Sequence, residues 1–148
     1  MSLNPLASII KTIGYVLHGQ IHFPDERLGE IITLEGGQQF RVFRQVIIDP
    51  SYDQPARPDA VFIPRFHVTG MSPRMNILFS WLPIPLIVGL PGFRSKLWLL
   101  DETTGDFAGY YEWDTVQDAE NYRHSFAARF MTGRSRPDSV SFRIIPHP

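Results

Sequence analysis

The sequence predicts an α+β fold, an antiparallel sheet carrying two helical segments, preceded by a further helix and a hairpin. Three observations carry this. β-branched and aromatic runs of strand length alternate with apolar residues at helical spacing between 60 and 145. Both helical segments open on N-cap signals, Ser72-Pro73 and Thr115 with Asp118 three residues on. Clusters of Gly, Pro, Asp and Thr separate the runs. Apolar side chains make up 43% of 148 residues and charged ones 20%, which suits one packed core and argues against disorder.

Met1-Ser2-Leu3 is given no weight in the reading. Asn4-Pro5 reads as N-cap and first helical position, and Leu6, Ile9, Ile10, Ile13, Val16 and Leu17 recur as one apolar face up to a stop near Gly19. This face is expected to pack on the protein's own core or on a second subunit. A membrane surface is the less favoured reading, because such anchors carry many Lys or Arg and this helix carries only Lys11. Residues 29–49 read as a hairpin turning at Gly36-Gly37. Three prolines, Pro50, Pro55 and Pro58, mark a loop, so 1–57 is expected to be a helix-hairpin extension and 58–148 the main module.

The module opens with a strand over 60–68. Pro64 lacks the N–H for a ladder, which places this strand at an edge or Pro64 at a bulge. A helix follows with Met75, Leu78, Phe79 and Leu82 as its apolar face, ended by Pro83 and Pro85. Strands over 93–100 and 107–113 flank a turn pairing Asp101 with Asp106. A helix with Ala119, Tyr122, Phe126 and Phe130 on one face precedes a last strand over 140–145. The order βαββαβ is the ferredoxin-like, split-βαβ arrangement. Its helices cover one sheet face, and the other face needs a cover of its own.

Lys plus Arg number 14 against 15 Asp plus Glu, a net charge of −1, so a general nucleic-acid binder is excluded. Cysteine is absent, which removes disulfides, thiolate metal sites and a cysteine nucleophile. No apolar run reaches the length of a spanning helix, and the N-terminus lacks signal-peptide features; a cytoplasmic protein is expected. The sequence contains no HExxH, GxSxG or P-loop, and no GxGxxG after a strand, and no metal site is expected.

Ser95-Lys96-Leu97-Trp98, the turn to Asp106, and Gly109-Tyr110-Tyr111-Glu112-Trp113 resemble the central hairpin of small bacterial mono-oxygenase-like proteins. Asp118-Ala119-Glu120 and Tyr122 are similar to the start of that group's second helix. The group belongs to the dimeric α+β-barrel superfamily, with the antibiotic-biosynthesis monooxygenase-like proteins, and the resemblance covers roughly 58–146. It implies a homodimer with pockets between sheets and helices. Several relatives oxidise aromatic or polyketide substrates without metal or flavin, so no cofactor is expected; others degrade haem, isomerise or decarboxylate. The apolar, proline-broken run 81–90 departs from the group's pattern at the pocket wall.

Alternation along the strands places Arg65 and His67 on one face, and Lys96 and Trp98 on one face opposite Tyr111 and Gly109. Joined into a pocket, Arg65, Lys96 and Trp98 would bind an anionic or phenolic ligand, with His67 and Tyr111 as the catalytic candidates. The competing reading makes the cations an ion-pair set with Glu112 or Asp114, and the aromatic rings core. Gly19 separates His18 from His22, His124 reads as surface and His147 as mobile, and Arg129, Arg134 and Arg136 read as a solvated basic turn. The expected function is a cofactor-independent mono-oxygenase-like enzyme acting on an aromatic or polyketide-like molecule. The alternatives are a non-catalytic binder of an apolar or aromatic ligand, and a membrane-peripheral or interaction protein using the N-terminal helix.

Overall fold

A computed structural model describes residues 4–148 and is ferredoxin-like. Met1–Leu3, set aside in the sequence reading, lie outside the described residues. Helix α1 (Pro5–Leu17) leads into β1 (Ile21–His22), β2 (Ile31–Thr33) and β3 (Gln39–Ile48). The module then runs β4 (Ala60–Phe66), α2 (Pro73–Phe79), α3 (Ile84–Val88), β5 (Phe93–Leu100), β6 (Phe107–Trp113), α4 (Val116–Arg123), α5 (Phe126–Thr132) and β7 (Ser141–Pro146).

All strands share one antiparallel sheet ordered β1-β3-β5-β6-β4-β7, with β2 on β3. The turn forms as expected, with Asp101 N donating to Asp106 O at 2.9 Å, and it sets Lys96 opposite Tyr111 and Trp98 opposite Gly109. β3 pairs with β5, so the hairpin segment extends the module's own sheet. A bulge between Val42 and Arg44 moves the next even-numbered residues to the other face. Phe40 and Val42 therefore pack with Leu97, Leu99 and Ala108, whereas Val46 and Ile48 join the main core under the helices.

Several expectations need correction. β4 lies between β6 and β7, so Pro64 is not on an edge. It is not at a bulge either: the β4–β6 register is unchanged from Phe62–Tyr111 to Arg65–Ala108, and the ladder lapses in between, where Pro64 has no N–H to give. The real irregularity in the core strands lies between Phe93 and Ser95, and Phe93 joins the same cluster as Trp98 instead of facing away. The second helical segment breaks at His124, and Ser125 re-caps α5 by accepting from Ala128 N. His147 is held in place. Its N–H donates to Asp59 O at 2.8 Å, and its ring bonds Glu112.

Two of the three apolar helix faces point the unexpected way. α1 packs on α3 with Ser8, Thr12 and Tyr15, while Leu6, Ile9, Ile10, Ile13, Val16 and Leu17 face outward. The Thr12 hydroxyl donates to Pro85 O at 2.7 Å. The Ser8 backbone lies where a side chain at Gly89 would have to be, 2.0 Å from a built Cβ, so only glycine permits this approach. On α2, Asn76 turns inward, as does Ser80 just beyond it, and Met75, Leu78 and Phe79 face outward.

The main core lies between the sheet and α3–α5. Phe62, Tyr111, Trp113 and Tyr122 form an aromatic cluster with ring centroids 5.0 to 6.3 Å apart. Contacts of this kind add about 0.5–1.5 kcal/mol per pair beyond burial, so this cluster fixes the sheet relative to α4.

Candidate functional site

A narrow cavity of about 40 Å³ lies between the helix-covered sheet face and α2, α3 and α5. Lys96 and Trp98 on β5, Gly109 and Tyr111 on β6, Asn76 and Ser80, and Ile87 line it. Phe43, Phe66, Phe107 and Met131 complete an apolar wall.

Lys96 is its chemical centre. The side chain is buried, and among the described residues no carboxylate pairs with it. Its ammonium group lies 4.4 Å from the centroids of both the Trp98 and Tyr111 rings. The ring faces return part of the lost hydration to the cation. Burial outweighs them and drives the Lys96 pKa well below that of a free lysine, and the charge of Arg44 pushes it further. Arg44 itself spans Trp81 (3.8 Å from the ring) and Trp98 (5.1 Å) and donates to Ser80 Oγ at 2.6 Å and Ile77 O at 3.1 Å. Burial lowers it to about 10, so it remains a cation at neutral pH.

Tyr111 is equally buried. Desolvation raises its pKa well above the usual phenol value, so it is a neutral hydroxyl. It accepts from the Tyr122 hydroxyl at 3.0 Å and points its own proton toward Met131 Sδ at 4.0 Å. A Cβ at Gly109 would sit 2.5 Å from Tyr111 Cε1, so the space that glycine leaves is filled by the tyrosine ring. Two further polar atoms at this wall, Asn76 Oδ1 and Arg134 Nε, are buried without a hydrogen-bond partner. Each unmade bond is costly in an apolar surrounding.

Of the five residues expected to meet, the structure gathers three, Lys96, Trp98 and Tyr111. Arg65 and His67 lie elsewhere, because the odd-numbered positions of β4 face away from the helices. Arg65 donates to Glu35 O and Gln38 Oε1. His67 bonds Asp106 Oδ1 at 2.8 Å in a separate groove of about 250 Å³ with Met71, Pro73 and Thr104. Burial works against the Asp106 carboxylate, but hydrogen bonds from Gln38 and His67 outweigh it and hold its pKa below the usual range. The ion pair of Arg94 is with Asp114 of the same chain, at 3.0 Å. Sequence reasoning missed Asn76 and Arg44. Each is a polar residue at a position where the pattern is apolar, Asn76 between Met75 and Ile77 and Arg44 among the buried positions of β3.

No family model matches the sequence, and no curated protein sequence matches it. The fold has clear counterparts among solved structures. An uncharacterised ferredoxin-fold protein from Listeria monocytogenes, related to antibiotic biosynthesis monooxygenases, superposes with a TM-score of 0.56 at 11% identity, over 86% of this chain and 92% of that one. A heme-degrading enzyme from the same species gives 0.54 at 15% identity, over 78% and 74% of the two chains. A monooxygenase-like protein from Listeria innocua gives 0.52 at 14%, over 78% and 67%. The class defined is a ferredoxin-like α+β protein with a narrow cavity under its helices. Its likeness to these proteins is one of fold.

Proposed function

We propose that this protein is a cofactor-independent mono-oxygenase-like enzyme whose cavity takes an aromatic or polyketide-like molecule with an acidic C–H. The observation that carries the reading is Lys96, a buried amine without a carboxylate partner among the described residues, set between two aromatic rings at the cavity wall, where burial drives its pKa well below that of a free lysine. A neutral amine in an apolar site is a general base. It removes a proton from a ring CH₂ next to a carbonyl. The resulting carbanion gives one electron to O₂, and the radical pair combines into a peroxide. The Lys96 ammonium returns the proton, and loss of water leaves a ketone. The balance is CH₂ plus O₂ to C=O plus H₂O, with no external reductant. Trp98 stacks on the guest, Asn76 Oδ1 accepts from a guest hydroxyl, and Arg134 Nε–H donates to a guest oxygen.

The cavity of about 40 Å³ holds about two or three waters, whereas a drug-sized ligand needs about 300 Å³ or more. Substrate entry therefore requires the wall to open. That wall is built from short pieces: α2 and α3 span seven and five residues, joined through Ser80-Trp81-Leu82-Pro83.

The test is oxygen uptake with dithranol, a phenolic anthrone. Lys96→Met should abolish uptake by at least about a hundredfold, the scale of a lost general base, while dithranol still quenches tryptophan fluorescence. Unchanged uptake in Lys96→Met removes Lys96 as the base. Quenching without uptake in the unmodified protein supports a non-catalytic binder instead.

A further inference from the structure

We propose that the outward apolar face of α1, continued by α2 and the Phe23–Trp81 pair, seats this protein on the surface of an anionic lipid bilayer. On α1, Leu6, Ile10 and Leu17 are 64%, 60% and 78% exposed, and Ile9, Ile13 and Val16 stand beside them. At 3.6 residues per turn these six make a stripe of about 120°. The coiled-coil seam of one partner helix is narrower.

The stripe is not isolated. The Thr12–Pro85 bond joins α1 to α3, and the chain just before α3 exposes Trp81 and Leu82. Phe23, a few residues after α1, meets Trp81 at 5.7 Å between ring centroids. Leu78 and Met75 on α2 are also exposed. Apolar surface of this extent marks an interaction or membrane site. Exposed aromatic residues at its rim suit the interfacial layer of a bilayer.

Charge selects the bilayer. None of the chain's 15 acidic residues lies in 4–24 or 60–100, the segments that build this surface, although Asp118 of α4 acts on Lys11 from beside it. Lys11 and Arg74 are exposed there. The scarcity of cations on α1 does not count against lipid, because its polar face is already taken. Ser8, Thr12 and Tyr15 pack on the protein, which acts as the polar side of the helix. The helix lies on the membrane and does not cross it, since no helix among the described residues is long and apolar enough to span.

The experiment sediments the full chain with phosphatidylcholine vesicles, with and without phosphatidylglycerol. Sedimentation is expected with phosphatidylglycerol and weaker without it. The double variant Ile10→Asp/Ile13→Asp should lose binding by at least about tenfold, since each change removes an apolar side chain from lipid. Its melting temperature should hold, because both side chains already face outward, and circular dichroism checks this. Failure of the unmodified chain to sediment with either vesicle overturns the proposal. So does light scattering that shows the double variant splitting a dimer, which would make the face a self-association surface.

Discussion

Lys96 makes the stability of this protein depend on pH in a defined direction. Its pKa is lower in the folded chain than in the unfolded one, chiefly through burial. Between the folded value and the unfolded value near 10.4, the unfolded chain binds the extra proton, so stability falls as pH falls across that window. Lys96→Met removes this loss. The variant should be more stable than the unmodified protein at pH 7. The difference should shrink as pH rises toward 10.5, and denaturant titrations at several pH values measure it. This pairing was legible in the sequence, because the hairpin turn alone fixes Lys96 opposite Tyr111. The role of Asn76 was not, since a lone polar residue on an apolar helix does not show which way the helix faces. His67 was misplaced because Arg65 and His67 share a strand face, and strand periodicity does not say which face the helices cover.

At the scale of elements, apolar spacing gave every long helix and strand but inverted two helix faces. α1 and α2 turn small or polar residues inward and apolar ones outward, so periodicity located them without orienting them. Gly89 carried the missing information. Its freedom from a side chain lets α1 approach α3 at backbone contact, an arrangement that exists only in three dimensions. Gly89→Ala should displace α1 and cost about 1–3 kcal/mol, the range for overpacking a tight contact. Thermal melting would show the loss, and hydrogen exchange should locate it in residues 5–17. An unchanged melting temperature with protected α1 amides would mean that α1 is not held through this contact.

For the whole molecule, the sheet face away from the helices is only part-covered. Phe40 and Val42 shield Leu97 and Leu99, while Ile63 and Tyr110 stay half-exposed beside them. We propose that a second copy completes this cover, as the resemblance in the sequence implies. Light scattering should give twice the chain mass, and Ile10→Asp/Ile13→Asp should leave it doubled, because that surface lies on the opposite side of the fold from α1. A single chain mass at every concentration would remove the dimer. Chain order defined the ferredoxin-like module, but the joining of β3 to β5 depends on non-local pairing and a bulge that no local pattern announces.

The bond from Thr12 to Pro85 and the seat of Ser8 on Gly89 attach α1 to α3, and Ile87 of α3 lines the cavity. Lipid held outside and a guest held inside thus act on one short helix. Any shift of α3 on seating changes both affinities, and thermodynamic linkage requires the two changes to be the same factor. Vesicles that tighten dithranol binding fivefold must themselves be bound fivefold more tightly once dithranol is present, and a ratio of one in both directions would show that α3 stays rigid between them.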